Sequence, residues 1–200
     1  NLLESIENFH TIQSSIINYE LDNQPLVADP KGMYSNFLKV FFYRLAIKEN
    51  FIKTVSAIFD QININIENFV PNSLSSALAS LNHDEKELGS ICIDLGAEST
   101  SFCMFENNKL IFVDGISVGG KNITSDLARG VSTTIESAER LKTLYGSVMN
   151  SPSDEHEIIE VPTLGNDNNQ FNQINRSLVY SIIKPRIEET LELVWQKLKD

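Results

Sequence analysis

The sequence has few of the residues that metal centres and disulfide frameworks need. It contains three histidines and two cysteines in 200 residues, and none of the histidines has a partner at metal-ligand spacing. Cys92 and Cys103 lie in apolar, strand-like segments, which favours buried free thiols and a cytosolic protein. No apolar run is long enough to span a membrane, and no Ser-His-Asp or Cys-His arrangement indicates a nucleophilic enzyme.

Basic residues are also scarce. The chain has 16 Lys and Arg against 27 Asp and Glu, a formal net charge of −11. This balance argues against nucleic acid as a partner, because phosphate backbones bind clustered Lys and Arg. What the chain does have is apolar content, 42% of its residues. That is enough to bury a core in one or two domains.

The first part of the chain predicts an α/β unit. Strands are expected at residues 10–22 and 38–46, followed by an amphipathic helix at 48–61 and a short strand at 62–69. A longer helix is predicted at residues 71–88.

The most informative stretch runs from Ile91 to Phe102. It reads as a strand ending in Asp94, a tight turn of small residues around Gly96, and a second strand. Backbone N–H groups in such a turn can approach a phosphate, while the carboxylate holds a hydrated Mg²⁺ beside it. The same pattern describes many plain hairpin turns, so both interpretations stay open at this point.

The segments that follow continue this order. Asn107 and Asn108 predict a two-residue hairpin turn, and a third strand at 110–116 leads to Gly119 and Gly120 and a polar helix start. Thr133-Thr134-Ile135-Glu136 has the spacing of a capping box, which predicts a helix that ends near Gly146.

This order of segments resembles the FtsA family of bacterial cell-division proteins, within the actin-like ATPase superfamily. The segments that carry the resemblance are Asp94–Ala97, Ile116–Gly120, Thr124–Ala128, Ser137–Lys142, Ile159–Pro162 and Ile183–Arg186. It covers nearly all of the chain. It implies an α/β fold, in which an α+β inserted subdomain accompanies an incomplete actin/Hsp70-like lobe of RNase H type.

The resemblance implies four parts. They are an inserted 1C-like (SHS2) subdomain at 1–69, a connecting helix of 1A type at 70–90, the start of a 2A-like lobe with the second phosphate loop at 91–119, and a 2B-like subdomain at 120–200. The last part includes a polar loop at Gly165–Gln170 and a final helix. The first phosphate loop would precede residue 1 and the adenosine loop would follow residue 200. We therefore expect ATP and Mg²⁺ in the intact protein and little or no cofactor on this fragment alone.

The resemblance also assigns nucleotide-binding residues. Asp94 would hold Mg²⁺ through water, Gly96 would approach the phosphates, and Ser99 would supply a hydroxyl. The remaining positions are the glycine pair Gly119 and Gly120, and the pair Glu139 and Lys142, which would contact ribose and adenine. Each position also has an ordinary structural interpretation, as a turn residue, a strand end or an exposed i,i+3 ion pair.

Glu98 departs from the family pattern, in which many relatives carry glycine. A carboxylate near a polyphosphate is repulsive, and a residue with a side chain resists positive φ. Either the nucleotide affinity is reduced or Glu98 points away.

Lys184 and Arg186 flank Pro185 at the head of the last predicted helix. In the family, subdomain 2B receives the acidic and apolar C-terminal tail of the tubulin-like protein FtsZ, which a basic pair would steer and anchor. The alternative is a solvated helix face. Pro185 either kinks the helix or marks its first turn.

The resemblance implies a non-enzymatic role with weak ATPase activity at most. Such a protein links FtsZ filaments to the inner membrane and recruits other division proteins, with ATP as a state switch. It self-associates through the 1C-like subdomain and works at the cytoplasmic face of the membrane at the division site, through a C-terminal helix absent here. One alternative is a PilM-like pilus-assembly protein that binds a peptide of an inner-membrane partner. Another is a sugar kinase or Hsp70-like ATPase.

Overall fold

The computed structural model describes residues 8–22, 25–164 and 171–199. Helices and strands are both present, which confirms the α/β class. The strands are β1 (Phe9–Leu21), β2 (Leu38–Lys48), β3 (Ser90–Leu95), β4 (Thr100–Glu106), β5 (Lys109–Ile116), β6 (Ile158–Pro162) and β7 (Phe171–Asn175). The helices are α1 (Glu49–Asp60), α2 (Asn72–Ser80), α3 (His83–Leu88), α4 (Gly120–Gly130), α5 (Ile135–Tyr145) and α6 (Arg176–Lys199), with a short 3-10 helix at Pro152–Glu155. The polar loop predicted at Gly165–Gln170 lies outside the described residues.

The opening hairpin and helix follow the sequence prediction closely. β1 and β2 pair antiparallel from Phe9 opposite Lys48 to Leu21 opposite Leu38, and α1 follows β2 directly. The prediction of a strand at residues 62–69 is wrong, because no strand forms there. The amides of Ile62 and Ile64 instead bond back to the Phe59 carbonyl at the end of α1, which removes donors that pairing would need.

The helix predicted at residues 71–88 is two helices, α2 and α3, separated at Leu81 and Asn82. Asn82 caps α3, since its side chain accepts from the Glu85 amide at 2.9 Å while the Glu85 carboxylate accepts from the Asn82 amide at 2.8 Å. This capping box favours a new helix start over continuation of α2.

The strands β3, β4 and β5 form one sheet in that order. Asn107 and Asn108, between β4 and β5, have φ of 50° and 59°. The predicted two-residue turn is therefore confirmed, because asparagine tolerates this left-handed conformation.

The described chain divides into two compact units. The first contains the described residues of Asn1–Asp94 together with Phe102–Asp114. Its buried cluster is formed by Leu74, Ala77, Cys103, Phe105 and Leu110. Within this unit the Tyr43 hydroxyl donates to the Val113 carbonyl at 3.0 Å and accepts from the Val113 amide at 2.9 Å, so β2 and β5 are joined by one side chain.

The second unit contains the described residues of Leu95–Ser101 and Gly115–Asp200. Helices α4, α5 and α6 pack with the antiparallel pair β6–β7. Their buried side chains form one cluster: Leu127, Ala128, Val131, Ala138, Leu141, Ile159, Val161, Ile174, Val179 and Ile183.

The start of α5 differs by one residue from the prediction. Thr134 is the N-cap and accepts from the Ser137 amide at 3.2 Å. Thr133 is 1% exposed and donates to the Pro162 carbonyl at 2.6 Å. Its hydroxyl is thus used for packing and is not available for capping. The helix ends at Gly146, as predicted.

Pro185 lies inside α6 and is not in its first turn. The start of the helix is anchored by Arg176, whose guanidinium donates to Glu157 at 2.9 Å and lies 3.8 Å from Asp154. Trp195, which ordinary packing would bury, is 56% exposed. Across the described ranges, no helix combines the length and the apolar character that a membrane crossing requires.

We expect Leu127→Ala to lower the free energy of unfolding of the second unit by about 2–5 kcal/mol, because the side chain is fully buried and its loss leaves a cavity. Leu144→Ala is the matched control. Leu144 is 64% exposed, so its truncation should cost less than about 0.5 kcal/mol. Urea unfolding followed by the fluorescence of the single tryptophan, Trp195, measures both. Equal losses in the two variants would contradict this packing.

Cys103 should resist alkylation in the folded protein. Burial raises the pKa of the Cys103 thiol to about 11, so it stays protonated and unreactive at about pH 8. In a Cys92→Ser variant, iodoacetamide labelling read by mass spectrometry should be slow until urea is added. Prompt labelling in the folded state would show that the core around Cys103 is open.

Candidate functional site

The turn between β3 and β4 is closed by its own backbone. The Gly96 amide donates to the Ser99 carbonyl at 3.0 Å. A Cβ placed on Gly96 would lie 2.7 Å from that same carbonyl oxygen. Glycine at 96 is therefore a requirement of the tight turn, whatever else approaches it.

This turn is bonded to the first turn of α4. The amides of Gly120 and Lys121 donate to the carbonyls of Gly96 and Ala97, at 2.9 Å and 2.7 Å. A Cβ on Gly119 would lie 2.6 Å from the Gly96 oxygen and 2.7 Å from the Ala97 oxygen. The glycine pair is thus the place where two backbone segments touch, and two of the free amides of α4 are satisfied by the loop.

Glu139 and Lys142 share one face of α5, as predicted, and meet Thr124 of α4. The Lys142 ammonium donates to Glu139 at 2.7 Å, to the Thr124 hydroxyl at 2.9 Å and to the Gly120 carbonyl at 3.2 Å. The Thr124 hydroxyl also donates to Glu139, at 2.5 Å. Lys142 and then Thr124 lower the pKa of the Glu139 carboxyl. An ammonium has three donors, so Lys142 is fully used in holding Glu139 and α4.

An open cavity of about 780 Å³ lies beside this cluster within the second unit. Its lining combines three cationic side chains, two carboxylates and two hydroxyls: Lys121, Arg140, Lys142, Glu136, Glu139, Thr124 and Ser125. Ala97 and Gly120 bring the loop and the helix start to the same cavity. Cationic and hydroxyl donors beside a half-exposed carboxylate acceptor fit a nucleotide, which carries anionic phosphates and ribose hydroxyls.

Glu98 forms an ion pair with Lys121, in which both side chains are largely exposed. The Lys121 ammonium lowers the pKa of the Glu98 carboxyl by hydrogen bonding and by its charge. Glu98 has no positive φ, so the backbone does not need glycine at this position. The carboxylate is turned onto a lysine at the start of α4.

The remaining residues predicted from the turn lie in different surroundings. Asp94, in the first unit, accepts from the Ser76 hydroxyl at 2.8 Å. The Ser99 residue is exposed, whereas Thr100 beside it is fully buried and donates to the Val118 carbonyl at 2.8 Å. Among the described residues no group of three or more His, Cys, Asp or Glu could hold a metal. A Mg²⁺ bound through water at one carboxylate does not require such a group.

Lys184 and Arg186 are not equivalent. The Arg186 guanidinium makes two bonds to Asp126 of α4, at 2.6 Å and 3.1 Å, and one to Glu189. Asp126 is the main cause of its raised pKa. Lys184 lies over the Tyr180 ring at 5.6 Å and 3.7 Å from Glu188, with its side chain 42% exposed. Arg186 therefore holds α6 to α4, whereas Lys184 contacts residues of its own helix and is the more exposed of the two, at 42% against 26%.

Sequence reasoning missed Lys121, Thr124 and Thr100. Thr124 stands four residues after Gly120, one helical turn on, and this spacing could have placed its hydroxyl above the glycine pair. Lys121 directly follows that pair. The burial of Thr100 has no comparable local signal, because a strand position alone does not show which face is covered.

The family model for cell division protein FtsA matches residues 91–187 of this chain. A cell division protein FtsA of Agrobacterium fabrum is 38% identical over 182 residues, which is 90% of this chain and 41% of the relative. The chain thus spans about two fifths of the length of the curated relatives that it matches.

Two solved structures share the fold. MreB5 of Spiroplasma citri, bound to ADP, superposes with a TM-score of 0.64 at 15% identity, covering 77% of this chain and 49% of that one. A PilM–PilN type IV pilus biogenesis complex superposes with a TM-score of 0.57 at 16% identity, covering 96% and 44%. These likenesses concern the actin fold alone, whereas the sequence relationship is specific: the chain belongs to the FtsA family of bacterial cell-division proteins.

Proposed function

We propose that this chain is the part of an actin-like cell-division protein that carries the second phosphate loop and the ribose-contacting helix. The observation that supports this most is the arrangement within the second unit. There the turn at 96–99 is bonded to the start of α4. Ala97 of this turn and the Glu139–Lys142–Thr124 cluster line one cavity of about 780 Å³. ATP would act as a state switch, with weak turnover at most.

In this proposal each residue has a separate task. Glu139, held by Lys142 and Thr124, accepts hydrogen bonds from ribose hydroxyls, which donate well to a charged acceptor. Gly96, Ser99 and the glycine pair keep backbone close to the phosphates. Mg²⁺, when bound, neutralises phosphate charge, and Asp94 would hold its water shell.

We further propose that the protein links FtsZ filaments to the inner membrane and recruits other division proteins at the division site. The acidic FtsZ tail would dock on α6, where Lys184, 42% exposed and 3.7 Å from Glu188, supplies a positive charge that the tail could engage. The first unit would mediate self-association. Its β1–β2 hairpin and α1 leave large apolar side chains exposed, among them Phe37 at 60%, Phe51 at 58% and Ile58 at 57%, and such a surface favours a protein partner.

A PilM-like role in pilus assembly is the second candidate. It is favoured by the superposition on the PilM–PilN complex, which covers 96% of this chain. The sequence relationship to FtsA outweighs it, since 16% identity carries the fold only. Binding of a PilN-type peptide in place of an FtsZ tail would reverse this order.

Glu139→Gln should weaken MgATP binding about three- to tenfold, because a neutral acceptor replaces a charged one. Binding of tripolyphosphate, which lacks ribose, should not weaken, because Glu139 makes no favourable contact with phosphate. NMR titration at millimolar ligand should shift the amides of Gly96, Gly119 and Gly120 in the unaltered chain.

Glu49→Gln is the matched control for this experiment. Glu49 forms an exposed helical ion pair with Lys53 at 2.8 Å in the first unit, close to the 2.7 Å of the Glu139–Lys142 pair, and its substitution changes net charge equally. If MgATP shifted the three glycine amides neither in this chain nor in the intact protein, the nucleotide role would be refuted.

Lys184→Glu should weaken binding of a labelled FtsZ C-terminal peptide about tenfold in fluorescence anisotropy, because a repulsive charge replaces an attractive one. Lys31→Glu, an exposed lysine paired with Asp29 in the first unit, should leave it unchanged. Arg186→Glu should instead reduce stability, since it places a third carboxylate beside Asp126 and Glu189. Equal peptide binding by the Lys184→Glu and Lys31→Glu variants would exclude α6 as the receptor.

A further inference from the structure

Three cationic side chains line the cavity, and they differ in what already holds them. The Lys142 ammonium donates its three hydrogen bonds to Glu139, to Thr124 and to the Gly120 carbonyl. Arg140 projects from α5. Lys121 directly follows the glycine pair, and its own amide is bonded to Ala97 of the phosphate-loop turn at 2.7 Å. Of the three, Lys121 belongs to the backbone segment that touches the turn.

The Lys121 ammonium is bound by Glu98 of that same turn. The two side chains are 66% and 75% exposed. Ion pairs with this exposure contribute little to stability, because water solvates both charges and two long side chains must be ordered. A ligand that offers more negative charge than one carboxylate can therefore displace Glu98 without unfolding anything.

We propose that Lys121 is a phosphate-binding residue of this site and that Glu98 is a built-in competitor, an anion that occupies Lys121 until a polyphosphate displaces it. This inference rests on the proposed function and names the group that regulates affinity at that site. The carboxylate lies on the turn expected to face phosphate and the ammonium on the helix start bonded to that turn. When a phosphate displaces Glu98, a Lys121–phosphate ion pair therefore replaces the Lys121–Glu98 ion pair at the same position.

Competition has a consequence that simple repulsion lacks. If Glu98 only repelled phosphate, its neutralisation would raise affinity equally whether or not Lys121 were present. If it competes for Lys121, much of the gain disappears once Lys121 is removed. The two cases are separated by a double-mutant cycle.

The test uses the whole chain and four proteins: unaltered, Glu98→Gln, Lys121→Gln and the double variant. Each is titrated with MgATP, tripolyphosphate and adenosine, with the Gly96 and Gly120 amides followed by NMR. We expect Glu98→Gln to tighten both phosphate ligands about two- to fivefold, and Lys121→Gln to weaken them. The gain from Glu98→Gln should be smaller in the Lys121→Gln background. Adenosine affinity should be unchanged throughout.

Glu49→Gln again controls for net charge, since it removes one carboxylate from an exposed ion pair in the first unit. If it tightened binding as much as Glu98→Gln, or if the Glu98→Gln gain were the same in both backgrounds, the competition would be refuted. Unchanged phosphate affinity in Lys121→Gln would refute the contact itself. Each of these results would refute the inference about Lys121 and Glu98 and leave the proposed function standing. The proposed function itself would fail if MgATP shifted no amide in the unaltered chain, in the Glu98→Gln variant or in the intact protein.

Discussion

The candidate site depends on one backbone contact, in which the turn after β3 lies directly against the first turn of α4. Carbonyls of Gly96 and Ala97 accept from the amides of Gly120 and Lys121, and no Cβ fits at Gly119 between them. Because this contact sets where α4 begins, it also fixes Thr124 one turn later and hence the acceptors available to Lys142. A side chain at 119 would separate the segments and move every one of these groups.

Charge in the second unit is distributed over paired groups. Lys142 is held by three acceptors, Arg186 by two carboxylates, and Lys121 by one exposed carboxylate. The differences in exposure follow the differences in pairing, since a buried charge needs several partners while an exposed one is stabilised by water. Residues of the same type therefore serve different purposes: Arg186 joins two helices, and Lys121 remains exchangeable.

Much of the fold was predictable because its signals are local. Alternation predicted β1, and a run rich in Val, Phe and Tyr predicted β2. The asparagine pair predicted the turn before β5, and helical spacing predicted the Glu139–Lys142 pair. The failures have non-local or competing causes. The predicted strand at 62–69 loses amide donors to the end of α1, and Thr133 lost its predicted capping role to a bond with Pro162. The ion pair between Arg186 and Asp126, which are 60 residues apart, could not be predicted from the sequence near either residue.

Glu98 shows how a site of this kind can accommodate an unexpected carboxylate. The backbone of the turn does not adopt positive φ at this residue, so the steric reason for glycine is absent and only the charge has to be compensated. Lys121 supplies that compensation from α4, an element whose first turn is already bonded to this turn. A lysine elsewhere on α4 would leave the Glu98 carboxylate without this partner, next to the position proposed for the phosphates. Position 121 thus couples two functions, holding the turn through its amide and neutralising it through its side chain.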